Sequence, residues 1–134
     1  MSKTIYHEIG FRPSICSNAT TTVNGAEIDT LGLNADICLV ARTGAASGSP
    51  SAQSATFKVQ ESDTSGSGYT DITGWTTAAI TADSTSAKVD CPSAYIKKRY
   101  LRIVATVSLT GGSSPALPVF AALLVKSAAG EPVS

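Results

Sequence analysis

The sequence predicts an all-β fold: a two-sheet antiparallel sandwich, jelly-roll-like, with an extended N-terminal arm. Three observations lead there. Short stretches of apolar–polar alternation recur along the chain, separated by Gly, Pro, Ser and Asn clusters, which is the pattern of a sandwich or barrel. No long stretch carries apolar residues at helical spacing. The alternating segments number about eight, the count that a jelly roll needs.

Residues 1–17 show little periodicity and read as an N-terminal arm. Ile5, Tyr6, Ile9 and Phe11 are apolar for a solvated tail, so the arm is either frayed, as termini usually are, or ordered by a neighbour. Residues 18–127 form the sandwich domain and 128–134 a C-terminal tail. Residues 20–23 are β-branched and meet Asn24-Gly25, the pair that best tolerates the two positive-φ positions of a type I′ turn, and residues 27–29 resume the chain beyond it. Residues 36–42 alternate, Ile37, Leu39 and Ala41 on one face and Cys38, Val40 and Arg42 on the other. Both faces carry apolar residues, which places this strand near the middle of a sheet. Residues 44–54 are small and polar and read as an exposed, flexible loop. Residues 56–62 alternate strictly, Phe57 and Val59 inward, Lys58 and Gln60 outward. A turn at 63–68 leads to short strands at 69–72 and 75–80, broken at Gly74, and to another at 86–90 that ends before Pro92.

The strongest strand spans residues 99–109, with Leu101, Ile103, Ala105, Val107 and Leu109 on one face. Residues 117–125 return as a final strand. This segment is apolar on both faces, as a short helix would also be. Pro115, Pro118 and a hairpin relation to the preceding strand favour strand. The expected core includes Phe57, Val59, Leu101, Ile103, Ala105 and Val107.

Charged residues make up only 15%, against about 25% in ordinary domains, and ten basic residues balance ten acidic ones. Phosphate neutralisation and polybasic membrane anchoring both need a basic surplus, so neither nucleic acid nor membrane is an expected partner. Hydroxyls fill the gap, with 18 Ser and 16 Thr. Such a surface has little long-range repulsion to hold copies apart, and tolerates close packing on itself or on a partner. The N-terminus lacks a signal-peptide core, and the longest apolar run is far short of a membrane span. Synthesis in a reducing cytoplasm follows as an expectation. Cys16, Cys38 and Cys91 match no zinc spacing; they read as three small buried hydrophobes, or as a Cys16–Cys38 bridge and one spare thiol.

Catalytic patterns are sparse. His7 is the only histidine, and the G-x-S-x-G elbow, the P-loop, the dinucleotide fingerprint and the EF-hand loop are all missing. The sequence therefore gives no catalytic, cofactor or metal residues. One charge cluster stands out: Lys97, Lys98 and Arg99, with Arg102 following on the strand. It is either a solvated strand start or a basic patch for an acidic protein surface. The first 66 residues carry four basic and six acidic groups and the remainder six and four, an asymmetry that suits lattice contacts.

Several segments together resemble small structural proteins of tailed bacteriophages: Ile28-Asp29-Thr30-Leu31-Gly32, Asp36 to Arg42, the Phe57-Lys-Val-Gln-Glu-Ser-Asp63 strand and turn, Tyr69 to Ile72, and Lys98-Arg-Tyr-Leu-Arg-Ile103. The resemblance runs from about Ile28 to Val125. It implies a jelly-roll-like capsid decoration or cement protein that sits on the outside of the head and joins neighbouring major capsid subunits, as a homo-oligomer or in closely packed copies. It brings no catalytic residues, and gives structural roles to Phe57, Val59, Asp63 and Tyr100 to Ile103. The expected partner contacts are Ile5, Tyr6, Ile9, Phe11, Lys97, Lys98, Arg99 and Arg102. A tail or neck component of the virion is the neighbouring reading. A carbohydrate-binding sandwich is a third, with Trp75, Tyr69 and Tyr95 as candidate aromatics, although core or turn packing is the favoured use of Trp75.

Overall fold

A computed structural model of the chain describes residues 11–30, 35–92 and 96–128. Its strands are β1 (Phe11–Ala19), β2 (Val23–Asn24), β3 (Ile28–Asp29), β4 (Ala35–Thr43), β5 (Ala52–Ser62), β6 (Thr70–Thr76), β7 (Ser86–Cys91), β8 (Tyr100–Thr110) and β9 (Leu117–Ala128). They form a four-stranded sheet in the order β1-β9-β4-β7 and a five-stranded sheet in the order β2-β8-β5-β6, with β3 also on β8. All pairings are antiparallel. Because β5 occupies the whole other side of β8, β2 and β3 share one edge of it and together act as one interrupted strand. Eight strands so counted, four to a sheet in this order, make a jelly roll.

The strict alternation of β5 and β8 builds the centre of the five-stranded sheet. The two pair over their full lengths, from Ala52 opposite Thr110 to Ser62 opposite Tyr100. Phe57, Val59, Leu101, Ile103 and Ala105 are fully buried and Val107 is nearly so. They meet Ile37, Leu39, Leu117, Ala121 and Leu123 from the four-stranded sheet in one core. β4 lies between β9 and β7, a central strand as its two apolar faces require.

Several local expectations are corrected. Residues 11–17 belong to the sheet rather than to an arm: β1 begins at Phe11, opposite Leu124, and pairs with β9. Its alternation is obscured by a register shift between Pro13 and Ile15, a place where an edge strand accommodates proline. Ile5, Tyr6, His7 and Ile9 lie outside the described residues, as do Leu31, Gly32, Tyr95 and tail residues 129–134. Asn24-Gly25 is not a hairpin turn, since β2 and β3 both pair with β8. Gly25 donates its N–H to Ile103 O at 2.7 Å, and a Cβ there would lie 2.7 Å from that oxygen and 2.8 Å from Ile15 Cγ1. This glycine serves close approach, not turn geometry.

Gly74, at φ +89°, does not end a strand either. β6 runs through it as a bulge, with Thr76 opposite Lys58 and Asp71 opposite Gln60. The loop at 44–51 is hydrogen-bonded rather than loose: Gly44 N–H donates to Pro118 O, Ser47 pairs with Ala116, and Ala46 N–H donates to Asp83. β8 and β9, finally, are not a hairpin. The Gly111–Gly112 turn carries the chain from one sheet to the other, because each strand already has two partners in its own sheet.

Candidate functional site

Three of the segments that resemble phage proteins converge at one end of the five-stranded sheet. Ile28 and Asp29 of the first sit on β8, opposite Leu101 and Tyr100 of the last. Glu61 and Ser62, from the strand-and-turn segment, lie on β8's other side, opposite the same two residues. Arg99 closes on Asp29 in a two-pronged ion pair, Nε at 2.9 Å from Oδ1 and Nη2 at 2.8 Å from Oδ2, a geometry in which both hydrogen bonds are charge-assisted. This partner holds the guanidinium above its ordinary pKa. Thr30 donates its hydroxyl to Arg99 O, and the buried Glu61 carboxylate accepts the Lys97 N–H at 3.0 Å. Ser62 Oγ lies within the 62–67 turn, bonded to Thr64 and to Ser67 O.

A second line of contacts crosses the outer face of the same sheet. The Arg102 guanidinium lies over the Tyr69 ring, 4.3 Å from its centre, and its Nε donates to Gln60 Oε1 at 2.9 Å. Gln60 Nε2 donates to Asp71 Oδ1 at 2.7 Å, and Lys58 pairs with Asp71 at 3.1 Å. Both contacts hold the Asp71 carboxyl below its ordinary pKa. Tyr69 donates its hydroxyl to Glu27 at 2.8 Å, and Glu27 also accepts from Ser65 Oγ at 2.6 Å and Gly66 N–H at 2.7 Å. Burial, and then the Glu27 carboxylate, push the Tyr69 phenol up.

The sequence pointed to the cluster of Lys97, Lys98, Arg99 and Arg102 as a partner surface. The structure gives the two arginines partners inside the chain, while the Lys97 side chain lines a neighbouring cleft. Glu27, which completes the network, had no local signal, and nothing in the sequence tied Gln60 or Tyr69 to the basic cluster.

The Glu27 contacts make a testable statement about acid. Its carboxyl is held below the ordinary 4.5, first by the Ser65 hydroxyl, then by Tyr69 and Gly66. A folded pKa below the unfolded one gives stability that is present above the unfolded value and lost as pH falls through the folded one. The difference in Tm between the natural chain and Glu27→Gln should therefore be largest at neutral pH and shrink on acidification. A difference that stays constant with pH would show that the three hydrogen bonds do not favour the ionised form.

A cleft of about 520 Å³ opens beside this corner, lined by Glu61, Asp71, Thr73, Trp75, Asp90 and Lys97 among others. Asp71 and Glu61 already accept the bonds described above. Trp75 is 2% exposed and part of the core, so it cannot stack on a sugar ring at the surface. The Tyr69 ring carries Arg102. Packing, the favoured use of Trp75, is what the structure shows.

On the side of the four-stranded sheet away from the core, Phe120, Ala122 and Leu124 of β9 alternate beside Cys38 and Val40 of β4; Ala122 and Cys38 are buried there, and Leu124 is exposed. The signal was in the sequence: residues 117–125 are apolar on both faces, one more than a core requires. The cysteines also resolve. None is in a disulfide: Cys16 is exposed, while Cys38 and Cys91 are buried. Cys16 is level with Phe120 and Cys38 with Leu124, on strands either side of β9. They are thus about 10 Å apart across the sheet and about 13 Å along it, beyond disulfide reach. Burial pushes the Cys91 thiol up to about 12, so it is unreactive at neutral pH.

The described chain is thus an all-β, two-sheet antiparallel sandwich of jelly-roll type. Its likenesses to solved structures are distant. The SPBc2 prophage-derived protein YomS superposes with a TM-score of 0.44 at 15% identity, over 87% of this chain and 91% of that one. The CBM22-1 xylan-binding domain from Paenibacillus barcinonensis Xyn10C gives 0.41 at 13%, over 89% and 88%. The Eiger TNF from S. frugiperda gives 0.39 at 12%, over 93% and 98%. No protein-family model matches the sequence, and no curated protein does.

Proposed function

We propose that this chain is a structural protein of a bacteriophage particle, a capsid decoration protein that seats on the outside of the head and bridges major capsid subunits without catalysing a reaction. The observation that carries the reading is the corner described above. The segments that resemble phage structural proteins fold onto one another, and their charged residues bond within the chain: Arg99 with Asp29, the Lys97 backbone with Glu61, Arg102 with Gln60 and Tyr69. Residues used this way brace a scaffold. They are not arranged around a reacting atom.

Attachment in this reading falls to Ile5, Tyr6 and Ile9, which precede β1, and to the exposed Lys97 at the rim of the corner. A protein that binds only the assembled lattice shifts assembly by mass action. Many weak identical contacts suffice, because the lattice holds neighbouring sites at high effective concentration.

The test is deletion of residues 2–10, which leaves β1 intact, followed by measurement of binding to bare heads and of head survival on heating. Loss of occupancy and of heat resistance is expected. Unchanged occupancy and resistance would remove the segment from the mechanism, and failure of the full-length chain to bind any head would remove the function.

A further inference from the structure

The cleft beside β6 and β7 holds two polar groups that the chain leaves unused. β6 is the last strand of the five-stranded sheet and β7 the last of the four-stranded one, and no ladder joins them. Glu61 of β5 lines the cleft with Ile72 and Trp75 of β6, and Asp90 and Pro92 line it from the end of β7. Glu61 is 8% exposed, and its Oε1 accepts the Lys97 N–H. Its Oε2 accepts no hydrogen bond from the described residues. Trp75 is buried, and its Nε1 is the one buried side-chain polar atom among the described residues that has no partner.

The two groups have opposite needs. A carboxylate oxygen takes a donor, and a charged donor makes the stronger bond. A buried indole N–H takes an acceptor, and without one its desolvation is uncompensated. A protein segment supplies both, a lysine or arginine side chain for the oxygen and a backbone carbonyl for the indole. The other charges agree. Asp71 is paired with Lys58, so in the lining Glu61 and Asp90 stand against one cation, Lys97, and the surplus is negative. Ile72, Pro92 and the Trp75 ring form an apolar wall along which the methylenes of a long basic side chain can lie. Because β6 and β7 each end a sheet, their outer backbone edges suit an extended partner. At about 520 Å³ the cleft falls within the range of about 300–1,000 Å³ usual for ligand sites.

We propose that this cleft receives an extended basic segment of another protein, with a lysine or arginine side chain donating to Glu61 Oε2 and a backbone carbonyl accepting the Trp75 indole N–H. The chain itself covers the indole nitrogen, so the segment parts β6 from β7 as it enters. Gly74, beside Trp75 at φ +89°, lies in the β6 bulge, where the ladder to β5 is already interrupted. Binding needs no phage head, so its failure is separate from failure of the capsid reading.

NMR titration of the isotopically labelled chain with blocked tripeptides tests it. Trp75 is the single tryptophan, so one indole N–H resonance reports on the site. Acetylated, amidated Gly-Arg-Gly and Gly-Lys-Gly should move that resonance downfield to saturation, as a new acceptor does. The matching Gly-Glu-Gly peptide should leave it in place, and so should spermidine, a cation with no carbonyl. Glu61→Gln keeps an acceptor for the Lys97 N–H but removes the charge, and should weaken binding of the arginine peptide by about tenfold or more. Asp90→Asn, at an exposed position, should weaken it severalfold, and serves if Glu61→Gln does not fold.

An indole resonance that no peptide moves would overturn the proposal and leave the two groups to a bridging water. An equal response to the acidic peptide or to spermidine would overturn it too, as would undiminished binding by the folded Glu61→Gln or Asp90→Asn chain.

Discussion

Phe57→Ala should destabilise the protein by about 3–5 kcal/mol, measured by denaturant unfolding. Phe57 is fully buried at the middle of β5, opposite Ala105 of β8. Both its backbone N–H and its carbonyl are tied to Thr77, which limits how far the site can collapse around a smaller residue. The Phe57 N–H donates to Thr77 Oγ1 at 3.1 Å, and its carbonyl accepts the Thr77 N–H at 2.9 Å. A cavity that cannot close costs the lost transfer energy and the lost contacts together. A change below about 1 kcal/mol would mean that the ring is not a core element at all.

Phe57 also marks what the sequence could reveal. Alternation is a local signal, so β5 and β8, whose inward residues are apolar from Ala55 to Val59 and from Leu101 to Val107, were legible with their faces assigned, and the central position of β4 followed from its two apolar faces. Edge elements were harder. β1 carries only Ile15 and Ala19 among its described buried residues, and its bulge near Pro13 breaks the period. β2 and β3 are too short to show one. The crossing of the chain between sheets after β8 left no mark, since a Gly-Gly loop serves a hairpin and a crossover equally well.

The corner shows the same limit for the candidate site. The basic cluster at 97–102 was visible because its members are adjacent. Its partners were not, because Asp29 lies 70 residues from Arg99 and Gln60 lies 42 from Arg102. Whether a charge cluster meets solvent or its own chain is decided by register, and register is set by the whole sheet.

Trp75→Ala should also cost about 3–5 kcal/mol, for the same reason of lost volume, while Trp75→Phe should cost only about 1–2 kcal/mol. The contrast comes from the indole N–H. Trp75 is 2% exposed, yet its Nε1 has no acceptor among the described residues. Replacing the indole by a phenyl ring therefore breaks no hydrogen bond, and it removes a buried donor whose desolvation is uncompensated. What remains is the cost of the smaller ring, next to the bulge at Gly74. Trp75 is the single tryptophan, so the fluorescence of the chain reports on this site alone. Blue-shifted emission that resists iodide and is unchanged by added oligosaccharides is expected of a ring locked in the core. If Trp75→Phe proved as costly as Trp75→Ala, the N–H would have to be bonded. If sugars quenched the emission, the ring would have to reach the surface, and the carbohydrate-binding reading would return.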